Sequence, residues 1–286
     1  MIKQLLRSRH PAFLAFSLVL VAAKTTGCPS DPTPIHAPVA AWSYDLTASN
    51  GPNAWASLAP AYAECGVSGL QSPIDIEDSA PSTKYSAYTI AYSGYGDDEE
   101  VEGTLENDGH TIEATYGASV SLADRPSFVW YAATFYLSRI HFHVGSEHTI
   151  NGAPAAGEMH LVHTTADGTN SAVIAVLMDS SGTADTVLGT FLSDAPPSGY
   201  EIEGTTNVDL EYLETLFEVG SYYQYNGSLT TPGCTDTPTV TWFVMNTHTP
   251  IGQSQVTAWQ ALFGPTTARP VQDLGARTVR KSWVSY

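Results

Sequence analysis

The sequence predicts one large, mainly β domain of the α+β class, and three observations predict it. Thr83–Tyr92 alternates apolar and polar residues, and Leu105–Tyr116 and Ser119–Ala123 also read as strands. Asn151-Gly152 separates β-prone runs, a strong hairpin signal. Ala172–Met178 is an almost continuous apolar run, suited to a central strand covered on both faces. With 286 residues, 43% hydrophobic, including 15 Tyr and 6 Trp, the chain can bury a substantial core, which excludes global disorder. It shows no internal repeat and no second domain.

Taken in order, residues 1–27 read as an export signal. Lys3, Arg7 and Arg9 form a positive start, and Pro11–Ala23 is apolar but too short to span a membrane as a mature helix. The segment carries four of the eleven bases and no acid, so the remainder has 29 acids against seven bases, a net charge of −22. Such a field repels nucleic acid and anionic membranes and excludes nucleic-acid binding. Residues 28–41, with prolines at 29, 32, 34 and 38, read as an extended tether, and the domain runs over 42–286. Cys28 follows Thr25-Thr26-Gly27, similar to a bacterial lipoprotein site but with Thr25 in the usual leucine position. Lipidation of Cys28 and ordinary signal cleavage both stay open, and both place the protein outside the cytoplasm, periplasmic or at the cell surface. Membrane attachment would come only through that lipid. In an oxidising compartment Cys65 and Cys234 could form a disulfide across a long loop.

Asp97–Glu100 is an acidic run expected in a solvated loop, with a weak calcium patch as the alternative. Thr186–Leu192, Asp209–Phe217 and Ser254–Leu262 have helical spacing. Tyr222–Asn226 and Val240–Met245 read as strands, and Gly264–Tyr286 as an irregular tail.

The chemistry concentrates in His141-Phe142-His143 and Glu158-Met159-His160. Alternation puts His141 and His143 on one strand face, and the Asn151-Gly152 hairpin folds His160 back beside them. Three imidazoles with a fourth position left open form the ligand set of a catalytic zinc site. Glu158 stands one pleat away, where it can orient a ligand. Solvated histidines on a strand face are the bland alternative.

The chain resembles the α-class carbonic anhydrases. The resemblance rests on Gln71-Ser72-Pro73-Ile74-Asp75-Ile76, Asn107-Asp108-Gly109-His110, His141-Phe142-His143, Gly145-Ser146-Glu147-His148-Thr149, Glu158 through His163, Ser228-Leu229-Thr230-Thr231-Pro232 and Val240-Thr241-Trp242, in the family's order from about Trp42 to Arg280. It implies a large central, mostly antiparallel twisted sheet with a few peripheral helices. It also implies reversible hydration of CO2 to bicarbonate by a zinc-bound hydroxide. His141, His143 and His160 match the zinc ligands. Thr230 matches the threonine that orients the hydroxide, with Glu147 accepting its proton, and His110 matches the proton shuttle, as an imidazole with an ordinary pKa near 6.5 can serve. Thr231 sits where bicarbonate is contacted, and Val162, Val173, Leu229, Val240 and Trp242 match the apolar wall that receives CO2. Cys65 and Cys234 match a disulfide of many secreted members. His148 and His163 match histidines that hydrogen-bond within the sheet.

Three departures matter. Arg139 stands where the family usually has Gln to accept the first ligand's free N–H, and arginine only donates. Glu113 is expected to pair with Arg139 across the cleft, with Glu113 or water taking over that acceptor role. Val144 replaces a common Trp after the second ligand, which calls only for repacking. Asp108 replaces the usual Asn beside the shuttle, which should raise the His110 pKa. An inactive relative serving as a binding module is the rival reading, fed only by Arg139. An esterase shares the same site, but the narrow apolar pocket argues against esters. Oligomeric state is not legible.

Overall fold

The computed structural model describes residues 32–35, 41–67, 69–78, 91–96, 99–180, 182–211, 213, 216–217 and 220–282. The export signal, Cys28, most of the tether and all but the end of the Thr83–Tyr92 strand lie outside the described residues. Strands β1 (Thr33–Pro34), β2 (Asp75–Ile76), β3 (Ala91–Ser93), β4 (Glu99–Asn107), β5 (Ile112–Tyr116), β6 (Ser127–Trp130), β7 (Ala133–Val144) and β8 (Thr149–Ile150) precede the central hairpin turn. After it come β9 (Ala153–Pro154), β10 (Gly157–Thr165), β11 (Ser171–Asp179), β12 (Tyr200–Val208), β13 (Tyr222–Gly227), β14 (Val240–Met245), β15 (Thr249–Pro250) and β16 (Arg280–Lys281). A 13-stranded mixed sheet has the continuous order β1-β12-β4-β5-β7-β10-β11-β14-β13-β16, with β3, β6 and β15 off that path. Pairing is antiparallel except for β11, which runs parallel to β14 and β15. A small second sheet joins β2, β8 and β9.

Period-two alternation divides the central strands between two faces. Ile140, Phe142, Met159, Leu161, Ile174 and Phe243 point to one face. Thr186–Asp194 and Gln253–Phe263 are helices, and their Val187, Leu188, Phe191, Val256 and Trp259 cover that face. Full burial of a side chain such as Phe142 or Phe243 stabilises by about 1.5–3 kcal/mol. Gln255 ties the two helices together: its Oε1 accepts the Asp185 and Gly252 N–H groups, and Asp185 Oδ1 in turn accepts the Leu188 N–H at 2.7 Å. On the opposite face Val162, Val173, Trp242 and Val244 pack with Ile74, Tyr223 and Tyr225. The metal-type histidines stand on this second face, which the helices leave open.

Several expectations change. Leu105–Tyr116 is not one strand, because Asp108 Oδ1 accepts the His110 and Thr111 N–H groups and Gly109 takes φ +86°. The resulting turn sends His110 to the cleft rim. Ser119–Ala123 is not a strand either: Ser121 Oγ accepts the Ala123 N–H and starts a 3-10 turn over Leu122–Asp124. Within the acidic run Glu99 and Glu100 belong to β4 rather than to a loop, while Asp97 and Asp98 lie outside the described residues. The tail is tied down rather than loose: the Thr267 N–H donates to the Val144 carbonyl, Gln272 bridges to Ile74, and β16 pairs with β13. Glu211, Leu213, Leu216 and Phe217 are helical, within the span whose periodicity predicts a helix.

Candidate metal centre

The hairpin turn is built from conformations that few residues tolerate. Asn151 has φ +51° and Gly152 φ +78°, the pair of positive values an Asn-Gly turn supplies. Asp75 Oδ1 braces it, accepting the Thr149 hydroxyl at 2.6 Å and the Gly152 N–H at 2.7 Å. Beyond that turn β10 pairs with β7 so that His160 lies directly opposite His141 and Glu158 opposite His143. A register irregularity between Val162 and His163, where Ser138 of β7 is passed over, leaves this pairing intact, and ordinary alternation along β10 puts His163 on the other face.

The three imidazoles offer nitrogen atoms within 4.8 Å of one another. Each has its remaining nitrogen engaged. His143 Nδ1 donates to the Thr267 carbonyl at 2.6 Å, and His160 Nε2 donates to Glu158 Oε1 at 2.7 Å. His141 Nδ1 lies 3.1 Å from Glu113 Oε2, and Arg139 Nε reaches the same oxygen at 3.2 Å. Both approaches to Glu113 are close but off the ideal donor line. Burial raises the Glu113 pKa, and His141 and Arg139 together outweigh it and leave it lowered. With those tautomers the free lone pairs are His141 Nε2, His143 Nε2 and His160 Nδ1. His143 Nε2 is buried with no hydrogen-bond partner, and His160 Nδ1 sits 3.2 Å from His141 Nε2. With both outer nitrogens protonated, these two lone pairs face one another at a distance that a shared cation would suit. Burial also lowers the His160 pKa and that of His141, to about 4, so neutral imidazole is the resting form.

Glu158 is fully buried and serves two rings. Oε2 accepts the His148 N–H and Oε1 takes both His148 Nδ1 and His160 Nε2. Burial alone would raise its pKa; the two imidazoles outweigh that and hold it well below the usual range. His148 passes the network on to Tyr225 and Ser72. His148 thus ends in a hydrogen-bond chain although it also clusters with Glu158 and His160.

A cleft of about 350 Å³ opens over the three imidazoles. Thr230, Thr231, Leu229, Val162, Val173 and Trp242 line it. Val240 is not among these lining residues; it is buried in the same cluster as Trp242, Val162 and Val173. The Gln71-Ser72 motif holds the Thr230 loop from beneath, Gln71 Nε2 donating to the Cys234 carbonyl and the Ser72 N–H to Ser228 Oγ. The Cys65–Cys234 disulfide is formed and pins the same loop. Glu147 Oε1 accepts the Arg269 N–H at 2.9 Å, and Oε2 is buried without a partner, 3.5 Å from His143 Nε2. Arg269 was not legible as a site residue; its guanidinium also donates to the Ser72 and Cys65 carbonyls. Thr267, seen only through its carbonyl, offers no side-chain signal for that role.

His110 lines the rim. Its ring stacks on Trp42 at 3.6 Å, Nε2 donates to the Trp42 carbonyl at 2.9 Å, and Nδ1 lies 3.7 Å from Asp108 Oδ2. Burial lowers its pKa, but the Asp108 carboxylate and the Trp42 carbonyl outweigh that and raise it.

Comparison with known proteins agrees with this geometry. A family model described as eukaryotic-type carbonic anhydrase matches residues 50–283. A carbonic anhydrase of Neisseria gonorrhoeae is 30% identical over 91% of this chain and 95% of its own length. One of Klebsiella pneumoniae is 32% identical over 83% and 89%. A solved hyperthermostable carbonic anhydrase from a hydrothermal vent chimney superposes with a TM-score of 0.70 at 31% identity, covering 85% of this chain and 100% of that one. On the sheet, the histidine centre and these matches together, the chain belongs to the eukaryotic-type, or α-class, carbonic anhydrase family.

Proposed function

We propose that the protein is a zinc-dependent carbonic anhydrase that interconverts CO2 and bicarbonate. The observation that carries this is the convergence of His141 Nε2, His143 Nε2 and His160 Nδ1, each freed by an outer partner on its other nitrogen. The donor set fits zinc: three convergent imidazole nitrogens, of which His143 Nε2 is buried without a hydrogen-bond partner and His141 Nε2 and His160 Nδ1 have each other as partner. Bound there, zinc supplies a Lewis acid that makes water ionisable near pH 7, a figure that comes from carbonic anhydrases themselves.

The chain's own residues do the rest. Thr230 lines the cleft, and the buried, unpartnered Glu147 Oε2 is the acceptor that its hydroxyl would use, which would leave the threonine oxygen free to accept a hydrogen bond from the reacting oxygen. Val162, Val173, Leu229 and Trp242 give CO2 a wall without charge, suited to a substrate without a dipole. Thr231 offers a hydroxyl to the bicarbonate product, and His110 passes the released proton to buffer. Glu158 and Glu113 orient His160 and His141, and Arg139 offsets the Glu113 charge. Export, with or without a lipid on Cys28, would place this chemistry outside the cytoplasm.

Metal analysis and stopped-flow CO2 hydration on the domain test the reading, with His143→Ala as control. The expected outcome is zinc near one per chain and turnover lost in the variant. Zinc without turnover in the unaltered protein would move the reading to a binding module whose defect lies at Arg139.

A further inference from the structure

Five side chains form one lateral row across the sheet. Glu201 on β12 lies opposite Glu106 on β4, which lies opposite Glu113 on β5; Glu113 faces His141 on β7, and His141 faces His160 on β10. Directly opposed residues share a face, with Cβ atoms about 4.5–5.5 Å apart, and like charges so placed destabilise the pair. Two successive carboxylate pairs leading away from a metal centre therefore need a reason. Glu113 has one in His141 and Arg139. Glu106 has none. It makes no hydrogen bond or ion pair with a described residue, is partly buried, and lines the same cleft as the imidazoles and His110.

The rim histidine makes a second route useful. Turning His110 inward would break its stack on Trp42 and its hydrogen bond to the Trp42 carbonyl. We propose that Glu106 is a second proton carrier of this centre, acting in parallel with His110. This rests on the hydratase reading above. The Glu106 carboxylate takes on one oxygen the proton released in hydration, relayed by cleft water that gains one proton as it gives one, becomes a neutral carboxyl, and gives the proton to a buffer base at the mouth. The carboxylate is then restored, and no other bond changes.

The charges around it favour this. Glu113 faces it from β5 and Glu201 from β12, Asp108 stands in the turn after its own strand, and Arg139 and His110 are the cationic groups on the same cleft. Burial first, then Asp108, Glu113 and Glu201, push the Glu106 carboxyl up to about 7. A carrier works best with a pKa near the working pH.

Two measurements decide it. Carboxyl-labelled glutamate followed by carbon-13 NMR in the metal-free protein should show one carboxyl titrating near pH 7, absent in Glu106→Gln. Oxygen-18 exchange on the zinc-loaded protein separates CO2 interconversion from the proton-dependent release of labelled water. Adding Glu106→Gln to His110→Ala should slow that release at least about tenfold further. Glu106→His should restore it with a shifted pH midpoint, which a merely structural role would not do. Release unmoved beside normal interconversion, or Glu106 titrating in the ordinary carboxylate range, overturns the carrier alone. No interconversion in the unaltered protein overturns the hydratase reading, and the carrier with it.

Discussion

His141 meets a carboxylate where a neutral amide would suffice, and that carboxylate is shared with a guanidinium. Glu113 Oε2 lies 3.1 Å from His141 Nδ1 and 3.2 Å from Arg139 Nε. The pairing of Glu113 with Arg139 could be anticipated from two departures read together, a donor-only residue at 139 and an acid at the cleft-lining 113. The outer partner of His143 could not, because it is a main-chain carbonyl. Losing an outer partner typically costs 10- to 100-fold in metal affinity. Glu113→Ala should therefore weaken zinc binding by about that factor in competition with a chelator. Arg139→Gln should cost less, because glutamine at 139 can itself accept the His141 N–H. Equal zinc affinity in Glu113→Ala and the unaltered chain would remove Glu113 from the centre.

Among elements, the antiparallel pair β7 and β10 was the most legible, since Asn151-Gly152 reverses the chain between them, as the turn of the small β8–β9 hairpin, and alternation fixes their faces. The break between β4 and β5 was not, because Asp108 acts through a side-chain turn that periodicity does not register. The loop that carries Thr230 lies between these extremes. It has no regular structure and is held by Gln71, Ser72 and Cys65 from distant parts of the chain. The bridge joins residues 169 apart, and losing such a disulfide typically costs roughly 2–5 kcal/mol. In Cys65→Ser, CO2 hydration should fall at temperatures where circular dichroism still reports an intact sheet. Activity and sheet melting together, or activity equal to that of the oxidised parent, would show that the bridge does not position the loop.

At the scale of the whole molecule, the fully buried His163 and Glu158 give folding the same sign of pH dependence. His163 is fully buried, and burial pushes its pKa down to about 3 while unfolded histidine titrates near 6.5. Between those values only the unfolded chain takes the proton. Folding free energy therefore falls as pH drops through that window, by about 1.4 kcal/mol per unit. Glu158, held low by His148 and His160 against its burial, loses its stabilising charge in the same direction. Urea melts of the metal-free protein should weaken steadily from pH 6 to pH 4, and His163→Gln should make that slope shallower. Identical slopes would place the acid sensitivity elsewhere. None of this was visible in composition, because burial is a property of the assembled sheet.

Thr267 and Arg269 carry a different consequence. The carbonyl that aligns His143 and the N–H that engages Glu147 both come from the last tenth of the chain, after every strand of the centre has been made. A chain short of those residues holds all three imidazoles, with Glu113 and Glu158 beside His141 and His160, yet lacks the carbonyl that aligns His143. The centre is thus complete only once Thr267 and Arg269 have folded back onto β7 and the segment that follows it, long after its three imidazoles have been brought together.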